Sequence, residues 1–245
     1  MDRVMGIEPT RPAWKAGILP LNYTRTLDCQ LEYITISAIG CQEFLLLSRQ
    51  YFILGKIRPP RLEGPAPGQT GDMKWIWCFY LYSVLGFLLE LVYARATGAR
   101  KRDRKCHFFL PVCPVYGLGA TAIALLPAAI AQRPLLLFPA AAVLATGAEY
   151  AAALFYEKVW HVSFWDYHTL PGNVQGRICL PFSLIWGALG LGLRYFVQPL
   201  MDRFITWLPE VLLLPITLLF TADFLFTGLV LRRRGSTEAL RWYRR

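Results

Sequence analysis

From residue 75 onward the chain is a succession of apolar runs, each about twenty residues long, separated by short polar or basic stretches. Five can be delimited, at residues 75–94, 112–131, 134–156, 178–197 and 211–231. At ~1.5 Å per residue, a helix of that length covers the ~30 Å hydrocarbon core of a bilayer. Helix is forced, because backbone groups in lipid must be satisfied within the segment. Composition agrees: 55% of residues are hydrophobic, 14% aromatic and 17% charged, against roughly 25% charged in a soluble domain. Mean hydropathy is +0.37. These features exclude a disordered chain, a coiled coil and an ordinary soluble enzyme. The expected fold is an all-α integral membrane protein, a bundle of five transmembrane helices.

The net charge of +10 raises the question of nucleic acid. Its distribution answers otherwise. Arg95, Arg100, Lys101, Arg102, Arg104 and Lys105 follow the first run, and Arg232, Arg233, Arg234, Arg241, Arg244 and Arg245 follow the fifth. Basic residues beside apolar spans set membrane orientation, so the partner they imply is the lipid bilayer and not nucleic acid. Putting both clusters in the cytoplasm gives an N-outside, C-inside topology. An odd number of spans accommodates this. Trp75, Trp77 and Tyr80 at the outer start, and Trp160, Phe164, Trp165 and Tyr167 after the third run, fit interfacial aromatics. The connection at residues 157–177 is expected to lie on the surface or to be partly re-entrant. Pro139, Pro181 and Pro215 fall inside runs and predict kinks. Gly117, Gly119, Ala141, Gly187 and Gly190 predict close helix contacts.

Residues 1–72 differ from the rest, with 8 basic and 7 acidic residues, no sustained period and a Pro/Gly-rich stretch at 58–71. Their most apolar part, 33–54, is interrupted by Gln42-Glu43 and Ser48-Arg49-Gln50, which makes a poor span. Residues 6–25 resemble the peptide produced when a reading frame runs antisense through a transfer-RNA gene. The expectation is a start-site error, with the membrane domain at 73–231 beginning at Met73 and a basic tail at 232–245. The rival is a genuine N-terminal extension.

Six cysteines (Cys29, Cys41, Cys78, Cys106, Cys113 and Cys179) form no C-x-x-C pair and no framework spacing, arguing against a disulfide scaffold or zinc ribbon. Cys106, His107, His161 and His168 could share one membrane face, but no metal site and no cofactor is expected.

Three carboxylates interrupt the runs: Glu90, Glu149 and Asp223. A charge at mid-bilayer costs roughly 2.5–3.5 kcal/mol on insertion scales, so each needs a partner or a watery cavity. Glu157 follows Glu149 by eight residues, on roughly the same helix face. Asp166, Asn173 and Arg177 form a polar string in the connection, and an Arg at that depth could pair with Glu90 or Glu157. Glu90, Glu149, Glu157, Asp166, Asn173, Arg177 and Asp223 are therefore the candidate cluster. It serves either a cation or proton site, or the locking of the bundle.

Gly86-x-x-x-Glu90, Cys113-Pro114-Val115-Tyr116-Gly117, Trp165-Asp166-Tyr167, the string from Asn173 through Gly176-Arg177-Ile178-Cys179-Leu180, and Trp186-Gly187 resemble a family of bacterial membrane proteins. This is the putative ABC-transporter type IV, or CmpB-like, family, and the similarity runs from Met73 to about Leu231. The resemblance implies a multi-pass protein of the bacterial cytoplasmic membrane, a permease-like component of an ABC-type transport system. No G-x-x-x-x-G-K-[ST] loop occurs, so an ATPase would be a separate subunit. Neither H-E-x-x-H nor G-x-S-x-G occurs, so no recognised hydrolase mechanism is supported. Five spans are few for a complete pore, which implies a homo-oligomer or other membrane subunits. Two alternatives stand beside transport. One is a membrane-embedded enzyme acting on a lipid or anionic headgroup, with Asp166, Glu149 or Glu90 as acid/base and Arg177 on the anion. The other is a structural or regulatory membrane subunit.

Overall fold

A computed structural model describes residues 71–96 and 105–241. The expected start-site error falls almost wholly outside these residues, as does most of the first basic run. The described chain is helical: α1 (Gly71–Ala96), α2 (Pro114–Ala124), α3 (Ala128–Ala131), α4 (Pro134–Phe155), α5 (Leu180–Gly192), α6 (Gln198–Ile205) and α7 (Leu213–Arg234). α4 continues through a π-helical turn, Tyr156–Trp160. α5 joins α6 through another, Leu193–Val197.

Among the described residues, four helical stretches are long and apolar enough to cross a membrane: Met73–Ala96, Pro134–Trp160, Leu180–Ile205 and Glu210–Arg234. The run at 112–131 forms something shorter. Its helix, α2, has 11 residues, about 16 Å or half a bilayer core. Pro114 in its first turn sets its start, and the chain leaves helical geometry before Pro127.

Two of the three prolines expected to kink helices lie at helix starts and not in their interiors. Pro181 and Pro215 sit in the first turns of α5 and α7, where the backbone N–H has no intrahelical partner to lose. Pro139 does lie inside α4.

The helices pack through glycine. A Cβ on Gly190 would fall 2.3 Å from the Ala141 Cβ, bringing α5 against α4. One on Gly117 would fall 2.6 Å from the Phe79 carbonyl oxygen of α1. Large apolar side chains face outward instead, including Val92, Leu118, Val143, Leu184, Leu218 and Leu229. That inverts a soluble protein's pattern and suits a lipid surround.

One end of the bundle is tied by Lys74 Nζ to Asp202 Oδ1 at 3.0 Å and by Tyr82 Oη donating to Gln198 Oε1 at 2.6 Å. There Arg194 donates Nη1 to the Ala124 carbonyl at 3.2 Å, capping α2 from another helix. Tyr156, Trp160, Phe164 and Leu231 pack together at the other end, beneath the connection at 161–178.

Candidate functional site

The candidate acids are distributed over three neighbourhoods. In the first, Glu149 on α4 is 5% exposed. Its Oε2 accepts the Trp186 indole N–H from α5 at 2.9 Å, and its Oε1 accepts the Tyr167 hydroxyl at 2.9 Å. An indole N–H can only donate, so Oε2 acts as an acceptor here. Burial pushes the Tyr167 phenol well above its ordinary value, and the adjacent carboxylate adds to the shift. Tyr167 is thus a neutral donor. Trp186 meets Tyr116 of α2 edge to face at 5.2 Å, and the Tyr116 hydroxyl donates to Glu90 Oε1 of α1 at 2.6 Å. A continuous path results: Glu90, Tyr116, Trp186, Glu149, Tyr167. It joins four helices and the connection.

Two local features build this path. Gly86 leaves room for Tyr116, whose ring carbon would sit 2.2 Å from any Cβ there. Thr146 donates to Ser183 at 2.9 Å between α4 and α5, near Glu149.

Asp223 lies in the middle of α7, 3% exposed, away from the other acids. Besides Thr227 Oγ1 of its own helix at 3.5 Å, its partners come from the non-helical segment 105–113. Phe109 N donates to Oδ1 at 3.1 Å, Leu110 N to Oδ2 at 2.9 Å, and His107 Nδ1 lies 3.2 Å from Oδ2. Phe108 N donates to Thr227 Oγ1 one turn further along α7, at 3.0 Å. Cys113 N closes the segment onto the Ser83 carbonyl of α1 at 2.9 Å. A backbone that would otherwise leave donors unpaired among apolar helices is satisfied by one carboxylate.

The third neighbourhood is the connection. Arg177 donates Nε and Nη2 to Glu157 Oε2, at 3.0 and 2.6 Å, and Nη1 to Gln175. Its guanidinium lies 5.6 Å from the Tyr150 ring centre. Asn173 donates to the Leu170 and His168 carbonyls at 2.9 and 3.1 Å. Asp166 Oδ1 accepts the His168 N–H at 2.9 Å and also contacts its Nδ1. Gly176, at φ +70°, lies under that pair, and a Cβ would strike the His168 ring.

Arg177 therefore pairs with Glu157, while Glu90 takes Tyr116. Asp166 and Asn173 shape the connection and touch none of the intramembrane acids in the hydrogen bonds described. Sequence reasoning left out Tyr116 and Trp186 as partners of the acids, and His107, Thr227 and Arg194. Tyr116 and Trp186 stand inside the distinctive strings that mark the chain, which was the available signal.

Curated proteins and solved structures provide no match to the chain. A family model described as putative ABC-transporter type IV matches residues 77–228. That stretch runs from the first turns of α1 almost to the end of α7 and takes in all three neighbourhoods of acids. It covers more than half of the 245 residues, and the chain belongs to the putative ABC-transporter type IV family.

Proposed function

We propose that this protein is the membrane-spanning, permease-like component of an ABC-type transport system in the bacterial cytoplasmic membrane, with ATP hydrolysed by a separate subunit. The observation that carries the reading is the path from Glu90 to Glu149. Two carboxylates from different helices face one aromatic pair inside an apolar bundle, where an acid without a function is costly. Carboxylates beside aromatic faces favour a cation or a proton as the species handled.

The chain crosses five times in this reading. The second crossing combines the non-helical segment 105–113 with the short α2, so that α1 and α7 run in the same direction. Both basic clusters then lie on the cytoplasmic side. One bundle of this size encloses too little for a path, so a second copy or another membrane subunit completes it.

Affinity purification in mild detergent tests the assignment. An ATPase subunit should travel with the protein in stable proportion. Its absence from preparations that retain a folded membrane domain would sink the transport reading. Reporters fused after Arg234 and inserted near Arg133 should be active inside and outside respectively.

The second reading, an enzyme acting on a lipid or anionic headgroup, draws on the exposed Asp166–His168 pair. There the carboxylate orients an imidazole in the same connection that carries Arg177. Loss of cellular function in His168→Gln, with function intact in Glu149→Gln, would favour it over transport.

A further inference from the structure

The segment 105–113 holds a pair of cysteines brought together by the same contacts that bind it to α7. Cys106 Sγ and Cys113 Sγ lie 2.8 Å apart, and both are thiols. Cys106 is half-buried and Cys113 is buried. A disulfide needs ~2.05 Å between sulfurs, so a movement of under about 1 Å would join them. The backbone around them is already fixed. His107, Phe109 and Leu110 are held by Asp223, Phe108 is held by Thr227, and Cys113 N is held by Ser83. No other cysteine shares this neighbourhood among the described residues. Cys78 lies beside Gln198 at the opposite end, and Cys179 precedes α5.

We propose that Cys106 and Cys113 are a modification site, a dithiol that closes reversibly into a disulfide and locks segment 105–113 against α7. The oxidant is a low-molecular-weight disulfide. The Cys106 thiolate, the more accessible of the two, attacks one sulfur of the oxidant and expels the first thiolate, leaving a mixed disulfide on Cys106. The Cys113 thiolate then attacks the Cys106 sulfur and expels the second. Two protein thiols become one disulfide, the oxidant is reduced to two thiols, and the two protons released protonate the leaving groups. In the orientation proposed above the segment opens toward the cytoplasm, where thiols are kept reduced. The dithiol is then the resting form and the disulfide the response to oxidation. The chemistry itself does not depend on that orientation.

Full-length protein in detergent micelles, treated with oxidised glutathione, tests the site. Remaining thiols are blocked with N-ethylmaleimide after denaturation, and the protein is digested with trypsin. No Lys or Arg lies between the two cysteines, so one peptide carries both. The expected peptide carries neither maleimide nor glutathione and has lost two hydrogens, and dithiothreitol restores both thiols. Cys113→Ser should instead accumulate glutathione on Cys106. The oxidised parent should melt at a higher temperature than the reduced one, and Cys113→Ser should show no such gain. Maleimide on both cysteines after oxidation, glutathione retained on Cys106 in the parent, or disulfides joining either cysteine to Cys78 or Cys179 would each overturn the proposal.

Discussion

Arg177 donates from both Nε and Nη2 to a single oxygen of Glu157, twenty residues earlier in the chain. The pair ties the start of α5 to the π-helical turn that ends α4, so it fixes where the connection leaves and re-enters the bundle. The hydrogen bonds to Glu157 hold the guanidinium charged, above even its ordinary value. Arg177→Ala should lower the melting temperature in detergent by stranding Glu157. Lys should recover only part of the loss, since an ammonium lacks the planar fork. Adding Glu157→Gln to Arg177→Ala should restore stability, whereas adding Glu90→Gln should not. Equal rescue by both would show that the pairing is not specific.

Asp223 accepts from two backbone amides of a segment that has no other means of satisfying them inside the bundle. Asp223→Ala should cost about 2–6 kcal/mol, since each of the two stranded donors costs ~1–3 kcal/mol. Asn retains one acceptor oxygen and should fall between Ala and the parent. Hydrogen exchange locates the effect: the Phe109 and Leu110 amides should exchange faster in the Ala variant. Unchanged exchange there would mean that the segment is held by something other than this carboxylate.

Apolar run length predicts the helices of α1, α4, α5 and α7, and their outward-facing residues follow from the same hydropathy. The run at 112–131 shows what length alone misses. Its prolines at 114 and 127 bound a helix of 11 residues, and the segment before it is not helical. The pairing of Arg177 with a carboxylate was legible because both lie at the ends of apolar runs on adjoining elements. The partners of Asp223 were not. Two of them are backbone amides 113 and 114 residues away, and a sequence carries no mark distinguishing one backbone N–H from another. Tyr116 and Trp186 read as membrane aromatics until packing turns a hydroxyl and an indole toward acids.

Glycine contacts predict opposite signs for the same substitution. Gly190→Ala brings two methyl groups to 2.3 Å and should cost about 1–3 kcal/mol as α4 and α5 are forced apart. Adding Ala141→Gly should recover most of it. Gly147 has nothing within 4 Å of a Cβ, so Gly147→Ala should be neutral or stabilising by up to ~1 kcal/mol from helix propensity. Detergent unfolding curves of the three variants and the parent decide the matter. A destabilised Gly147→Ala would mean that its face is occupied in the assembled protein.

Glu149 separates charge from shape. Glu149→Ala removes the acceptor of both Trp186 N–H and Tyr167 O–H and should cost about 2–5 kcal/mol, lowering abundance whatever the protein does. Glu149→Gln is different. Its carbonyl oxygen can still accept from Trp186, and its amide can donate to the Tyr167 oxygen once that hydroxyl rotates, so the bundle keeps its packing and loses an ionisable carboxyl. The Gln variant should therefore accumulate like the parent. If the path from Glu90 to Glu149 handles a cation or proton, that well-folded variant should fail to complement a strain lacking the gene. Tyr167→Phe, which removes one donor and no charge, should retain most function. Full complementation by Glu149→Gln would remove the charge from any transport role and leave this carboxylate as a brace between α4, α5 and the connection.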